Sequence, residues 1–226
     1  MPNEMNASSN SPWAIRPDAR HLILCEGNDD YGFLNSYIQS SAFAENDMHE
    51  VQVMKVDGIP KMRSALLALC NSDGFSQLQS LLLIRDADTN VRSARDNIKG
   101  TFSEANLPVP EAEYLWADNG KIKTGFLLMP SCSDHSETGA LEDLCWSILS
   151  EKHGTSICEE VGEFIHSLEM SEKRCFPHKS KALVHTYFSA TDALIAASIG
   201  RAADSGAFDW ESPVLQPLHD FLTSMI

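Results

Sequence analysis

Short apolar runs alternate with helix-like periodicity along the first half of the chain. Strands are predicted at 21–27, 51–56 and 81–85, and the last of them shows no polar alternation over 81–84, which is typical of a strand buried on both faces of a parallel sheet. Between them, apolar residues recur at spacings of three and four, which predicts helices over about 28–42 and 60–69. This alternation of strands and helices predicts an α/β fold, with a parallel sheet and flanking helices.

The second half of the chain is mainly helical in pattern. Strands are predicted at 113–117 and 124–129 around an Asn-Gly turn. Helices are then predicted at 139–150, 156–170, 180–199 and 214–225. We therefore expect a flexible polar tail over 1–20, an α/β domain over 21–136, and a helical C-terminal region over 137–226 that packs on it.

Composition and charge narrow the classes of function. The chain has 226 residues, of which 43% are hydrophobic, enough for one sizeable core. Its formal net charge of −15 counts against broad contact with nucleic acid, because affinity for phosphate comes mainly from Lys and Arg. The six cysteines form no CxxC pair, which indicates reduced thiols in a cytoplasmic protein. No signal segment or long apolar run is found, so we expect no membrane contact, while the oligomeric state stays open.

Acidic residues follow two of the predicted strands. Glu26 comes directly after the first strand, and Asp86 and Asp88 come after the strand at 81–85. Residues i and i+2 of a strand point the same way, so both aspartates would face one point if the strand geometry continues. Parallel strands present their carboxyl ends at one edge, which would bring Glu26 near them. Clustered carboxylates repel unless a cation is present, and hard oxygen ligands suit Mg²⁺ or Mn²⁺.

These motifs resemble those of the Toprim domain, which topoisomerases, bacterial primases and the overcoming-lysogenization-defect nucleases share. The resemblance rests on LCEGNDDYGFL at 24–34 and LLIRDADTN at 82–90. Over about 22–221 the chain also resembles a small stand-alone family of Toprim-like proteins, with its GFLLMP strand, ETGALEDL helix start and TYF-containing helix. The chain lacks an obvious nucleophilic tyrosine module and the flanking domains of primases, so tyrosine-mediated strand breakage and primer synthesis are not expected.

The resemblance implies roles for particular residues. Glu26 would act as a general acid/base or as a metal ligand, and Asp86 and Asp88 would hold Mg²⁺ or Mn²⁺. Lys181 would stabilise the transition-state phosphate, the alternative being an ordinary surface lysine.

Two further groups of charged residues extend this prediction. Among Glu137, Glu142 and Asp143, Glu142 is the predicted metal ligand, the alternative being an acid that only complements a helix dipole. Arg92 and Arg95 share one face of a helix predicted at 90–105 and are predicted substrate contacts. The alternative for the two arginines is a solvated helix face with salt bridges.

The predicted function is Mg²⁺-dependent phosphoryl transfer on nucleic acid, with nuclease-like activity. Two alternatives stay open, because a Toprim-like fold does not guarantee Toprim chemistry. The protein could be a non-catalytic module that binds a metal or a partner protein, or a small-molecule phosphatase or phosphotransferase. Basic residues in the same crevice as the acids would favour catalysis on nucleic acid, and a closed pocket would favour a small substrate.

Overall fold

A central sheet organises the computed structural model, which describes residues 14–130, 138–152, 157–172 and 175–226. Its strands within these residues are β1 His21–Cys25, β2 Val51–Lys55, β3 Ser80–Asp86, β4 Ala117–Asp118 and β5 Lys123–Met129. They form one sheet in the order β2-β1-β3-β5-β4, in which β4 is antiparallel to β5 and the other neighbours are parallel. The predicted α/β fold with a mostly parallel sheet is therefore confirmed.

Helices flank the sheet and make up the C-terminal part of the chain, as predicted. In the described residues they are α1 Asn28–Ile38, α2 Ile59–Cys70, α3 Val91–Glu104, α4 Leu141–Lys152, α5 Ile157–Glu172, α6 Lys179–Ser189, α7 Ile199–Asp204 and α8 Gln216–Thr223. None of these helices combines the length and the apolar character that crossing a bilayer requires.

Both faces of the sheet are covered, which explains the unbroken apolar run of β3. Leu81 and Leu83 pack with residues of α2 and α3 on one face, whereas Leu82 and Ile84 pack on the other with α1 and the C-terminal helices. All four side chains are fully buried, and burying each contributes about 1.5–3 kcal/mol. A strand in this position needs apolar residues at successive positions rather than at alternate ones.

The C-terminal helices share a core with the sheet, and one contact ties them to the start of α1. A Cβ atom on Gly32 of α1 would lie 2.5 Å from the Cα of Gly200 in α7, so only glycine permits this approach. The main-chain N–H of Gly200 donates a hydrogen bond of 3.1 Å to Oδ1 of Asp29. Helix α7 is therefore anchored to the first turn of α1.

The helix predicted at 180–199 is confirmed only over its first half, because the chain leaves the helical conformation after Ser189. Helix α6 ends at Ser189 and α7 begins at Ile199. Between them Thr191 is extended, with φ −117° and ψ 111°, and Ala196 adopts the left-handed region with φ 59°. Neither conformation continues a helix.

The strand predicted at 113–117 forms only at its end. Ala117 pairs with Thr124 of β5, but Tyr114 has a left-handed φ of 60° that a strand does not accommodate. The apolar and aromatic residues before Ala117 therefore belong to a loop.

Residues 14–20, which we expected in a flexible tail, contact the edge of the sheet. The guanidinium of Arg16 donates to the main-chain oxygens of His49 and Val51, at 2.8 and 3.0 Å, and Ala19 is fully buried. Residues 1–13 lie outside the described part of the chain. The domain boundaries at 20 and 136 stay predictions.

Candidate functional site

The carboxyl ends of β1 and β3 place two acids at one edge of the sheet. The strands are neighbours, and Cys25 pairs with Ile84. Glu26 follows β1, and Asp86 ends β3. The parallel topology therefore brings together two of the acids that the sequence singles out.

Asp30 adds a buried carboxylate at the same edge. It lies in the first turn of α1, with 7% of the residue exposed. Its Oδ2 accepts the main-chain N–H of Gly27 at 3.0 Å, whereas its Oδ1 is buried and has no hydrogen-bond partner among the described residues. The same holds for Oε2 of Glu26. Most buried polar atoms in proteins are hydrogen-bonded, so two unpaired carboxylate oxygens here require an explanation.

Asp88 departs from the strand geometry that we expected. Strand β3 ends at Asp86, and Asp88 has a left-handed φ of 54°. Its main chain exchanges hydrogen bonds of 2.8 and 2.9 Å with Gly139. Its Oδ2 lies 3.1 Å from a terminal guanidinium nitrogen of Arg85. Asp88 is thus held close to Asp86 along the chain, but its carboxylate is directed to a cationic side chain.

The start of α4 contributes a further acid. The main-chain N–H of Leu141 donates to Oδ1 of Asp86 at 3.0 Å. The next residue, Glu142, is buried, and its Oε1 lies 2.9 Å from Nζ of Lys181 in α6. Glu137 lies outside the described residues. The acids at this edge are termed the carboxylate cluster, which consists of Glu26, Asp30, Asp86, Asp88 and Glu142.

Burial and mutual repulsion raise pKa values in the carboxylate cluster. Burial, followed by the nearby charges of Asp30 and Glu26, raises the pKa of Asp86 to about 8. Burial raises the pKa of Asp30 to about 6, although main-chain N–H groups oppose the shift. Burial also raises the pKa of Glu26, and the positive charge of Arg85 opposes that rise. These shifts are the expected result of crowding carboxylates together away from water, and a divalent cation would reverse them.

The carboxylate cluster borders a pocket with a volume of about 330 Å³. Its acidic lining residues are Asp86, Asp88, Glu142 and Asp143. Its basic lining comes from the first turn of α6, where Lys179 and Lys181 flank Ser180, whose hydroxyl donates to Asp143. A pocket that offers carboxylates and ammonium groups together suits a phosphate ester bound with a metal ion.

The predicted substrate contacts Arg92 and Arg95 do not line this pocket. Arg95 forms an ion pair of 2.9 Å with Glu113, and Arg92 is exposed in the first turn of α3. Lys99 on the same helix donates to the main-chain oxygen of Glu111 at 2.6 Å. The structure therefore brings Lys181 to the acids but not these arginines, whose role as substrate contacts stays a prediction.

The carboxylate oxygens at this edge are the type of ligand that binds a hard divalent cation, but they are not arranged around a single point. Within the described residues, no three His, Cys, Asp or Glu side chains are placed to hold a metal ion as they stand. Carboxylate oxygens are nevertheless the ligands that Mg²⁺ and Mn²⁺ prefer, and the unpaired oxygens of Glu26 and Asp30 are available for them.

The sequence did not lead us to predict Asp30 or Arg85 as members of the site, although each has a sequence feature that indicates its burial. Asp30 shares the helical spacing of Phe33, Leu34 and Tyr37, which predicts that it faces the core with them. An acid in the first turn of a helix is usually explained by its favourable interaction with the helix dipole. That explanation requires no burial, so it offers no reason to look for a buried carboxylate at Asp30. Arg85 follows four buried apolar residues, and an arginine buried inside a strand needs a charged partner.

These features define an α/β protein with an acidic site at the carboxyl edge of its sheet. The chain belongs to a family described as "Protein of unknown function (DUF3226)", whose sequence profile matches residues 20–226. The matched range contains the whole carboxylate cluster. None of the curated proteins matches the sequence.

Two solved structures are similar to this chain over most of its length. Both are of the C-terminal region of the OLD protein of Xanthomonas campestris pv. campestris, and they are 12% and 13% identical to this chain. Each match covers 91% of this chain and 95% of that chain, with a TM-score of 0.43.

Proposed function

We propose that this protein carries out Mg²⁺- or Mn²⁺-dependent phosphoryl transfer on nucleic acid, as a nuclease of the Toprim type that its motifs resemble. The observation that carries the proposal is the pair of buried oxygens, on Glu26 and Asp30, that lack a partner among the described residues. They lie with Asp86 at the carboxyl edge of a parallel sheet, where α/β folds commonly bind ligands. A divalent cation would supply the partner that these oxygens lack.

Each acidic residue of the site would have a specific role in the reaction. Asp86, Asp30 and Glu26 would hold the ion, with a general acid/base role as the alternative for Glu26. A bound Mg²⁺ would stabilise negative charge on a phosphoryl oxygen and lower the pKa of a bound water.

Lys181 would contact the phosphate of the substrate. It lines the pocket, and 56% of its side chain is exposed while its Nζ contacts Glu142. The hydrogen bond to Glu142 raises the pKa of Lys181, so its ammonium group stays charged. A fixed positive charge at this position stabilises the developing charge of a phosphoryl transition state.

Two other candidate functions are each favoured by one observation. The pocket volume of about 330 Å³ lies near the lower end of the usual range for small ligands, which favours a small-molecule phosphatase or phosphotransferase. The pairing of Arg95 with Glu113 leaves fewer cations for nucleic acid, which favours a non-catalytic module that binds a metal or a partner protein. We prefer nucleic acid because of the Toprim-like motifs and because Lys179 and Lys181 are accessible to a chain of phosphates.

Calorimetric titration with Mn²⁺ and Mg²⁺ tests the metal site first. The wild type should bind either ion, and Asp86→Asn should lose binding. Asp96→Asn makes the same change at an exposed position on α3 and should bind as the wild type does. Failure of the folded wild type to bind either ion at millimolar concentration would overturn the proposal.

The substrate is tested next, by incubating the metal-loaded protein with single-stranded DNA, duplex DNA, RNA and p-nitrophenyl phosphate. Metal-dependent cleavage of a nucleic acid that Asp86→Asn abolishes would support a nuclease. Turnover of p-nitrophenyl phosphate alone would support the small-molecule candidate. Metal binding with turnover of none of these substrates would support the binding module.

A further inference from the structure

A phenylalanine forms part of the wall of the pocket beside the carboxylate cluster. Phe176 lies between α5 and α6, and it lines the same pocket as Lys179 and Lys181. The residue is partly buried and packs against the hydrophobic core, which restricts the movement of its ring. Pro177 and His178, which are both exposed, line the pocket with it. The pocket therefore has an apolar and aromatic part next to its two ammonium groups.

The charges of this pocket do not by themselves favour nucleic acid. Among the described residues, four acids and two lysines line it. Each lysine already contacts a glutamate, since Lys179 contacts Glu169 and Lys181 contacts Glu142. Proteins that hold nucleic acid mainly by its phosphates use several lysines or arginines to do so. A nucleic acid bound here must therefore gain part of its affinity from contacts to its bases.

The faces of unpaired bases are the part of a nucleic acid that suits such contacts. In a duplex each base lies between its neighbours and shows only its edge in a groove. A base of a single strand can leave its neighbours and stack on an aromatic side chain. The pocket volume of about 330 Å³ is near the lower end of the range for small ligands, so the pocket can enclose one nucleotide but not a double helix.

We propose that Phe176 is a stacking platform for an unpaired base, so that this pocket takes single-stranded rather than duplex nucleic acid, with an adjoining phosphate beside Lys181. This inference rests on the proposed function in one respect, that the pocket binds nucleic acid, and it adds the class of substrate. It does not depend on the number or the arrangement of bound metal ions. Phe176 is a substrate-binding residue and takes no part in bond cleavage.

Fluorescence anisotropy with labelled probes of equal length tests this inference, in Mg²⁺ buffer at one salt concentration. The probes are oligo(dT), an abasic oligomer with the same sugar-phosphate backbone, and a DNA duplex. The wild type should prefer oligo(dT) to both other probes. Phe176→Leu should weaken the binding of oligo(dT) by about 5–150-fold, as loss of one base–aromatic contact typically does, and should leave binding of the abasic probe unchanged. Phe176→Tyr keeps an aromatic ring and should bind all probes as the wild type does.

Phe164→Leu is the matched control, because Phe164 is exposed on α5 and does not line the pocket. It should bind every probe as the wild type does. Equal wild-type affinity for oligo(dT) and the abasic probe, or full affinity for oligo(dT) in Phe176→Leu, would overturn the stacking role. If circular dichroism shows that Phe176→Leu is unfolded, the probe preferences of the wild type and Phe176→Tyr decide the question.

Cleavage assays separate this inference from the function on which it rests. Metal-dependent cleavage of duplex DNA that Phe176→Leu leaves unchanged would overturn the single-strand preference and keep the proposed nuclease. A wild type that neither binds nor cleaves any nucleic acid would overturn the proposed nuclease, and this inference with it.

Discussion

The carboxylate cluster and the outer face of α3 both combine acidic and basic side chains, but their access to partners differs. On α3, Arg95 pairs with Glu113 and Lys99 donates to a main-chain oxygen, so each cation has a partner near solvent. At the sheet edge, Glu26 and Asp30 keep carboxylate oxygens that are buried and unpaired among the described residues. Glu113, beside α3, also keeps one buried, unpaired oxygen, but its other oxygen pairs with Arg95, whereas Glu26 and Asp30 have no ion pair with a lysine or arginine among the described residues. Burial of a carboxylate without a cationic partner therefore distinguishes the candidate site from the charged surface of α3.

Among the changes that test this comparison, Asp86→Asn should have the largest effect on the free energy of unfolding. The pKa of Asp86 is raised from 3.8 to about 8, so the folded protein keeps a proton that the unfolded chain releases. Stability from this group is present below the unfolded pKa and is lost as the pH rises through the folded one, over a window of about pH 4 to 8. Each pKa unit is worth about 1.4 kcal/mol, so Asp86→Asn should raise the free energy of unfolding of the metal-free protein by several kcal/mol at pH 8.

Urea unfolding of the wild type and Asp86→Asn, at pH 4 and pH 8, measures this effect. The two proteins should differ little at the acidic pH, which is close to the unfolded pKa of 3.8, so that only a small part of the linkage effect has developed. The same wild-type pH dependence in the variant would show that the repulsion lies elsewhere.

Mg²⁺ should produce the next largest effect if, as we propose, it binds the folded state at the acidic edge. At a free concentration one hundred times its dissociation constant, an ion stabilises the folded protein by about 2.7 kcal/mol. Thermal unfolding at pH 8, with NaCl added to match ionic strength, should show this gain for the wild type and Asp96→Asn. The gain should be absent from Asp86→Asn, and a gain of the same size there would place the ion outside the carboxylate cluster.

Lys181 should affect turnover more than metal binding. Lys181→Met should lower the rate of metal-dependent cleavage by about 10²–10³-fold, as loss of one transition-state charge contact typically does. Lys179→Met is the matched control, because Lys179 contacts Glu169 at 2.8 Å and should have a smaller effect on the rate. Single-turnover cleavage and Mn²⁺ calorimetry on both variants separate the two effects, and equal losses would contradict a specific role for Lys181.

Arg95→Gln, a change on α3, should have the smallest effect on stability and metal binding. The pair of Arg95 and Glu113 is partly exposed, so Arg95→Gln should change the free energy of unfolding by less than about 1 kcal/mol and leave Mn²⁺ binding unchanged. Urea unfolding and calorimetry check these two expectations. Weaker binding of nucleic acid by this variant, at unchanged stability, would support the predicted substrate contact and reduce the contrast between the two regions.

The sheet and part of its acidic edge could be predicted because both depend on local patterns. The apolar run before Arg85 reflects a strand covered on both faces, and parallel neighbours necessarily end at one edge. That topology is sufficient to expect Glu26 beside Asp86.

The details of the site could not be predicted, because they depend on contacts between distant segments. The left-handed turn at Asp88 is fixed by hydrogen bonds to Gly139, and the partner of Glu142 comes from another helix, at Lys181. The second half of the helix predicted at 180–199 does not form for a related reason, since apolar spacing continues through residues whose backbone conformation is set by tertiary packing.

The crossing of α1 and α7 has a consequence for biosynthesis. Asp29 takes its main-chain partner from Gly200, 171 residues further along the chain. Because a ribosome releases the chain from its N-terminus, β1, α1 and β3 emerge well before Gly200 does. The turn that carries Asp30 therefore lacks this support until Gly200 has been synthesised, and a nascent chain acquires its complete acidic site only after that point.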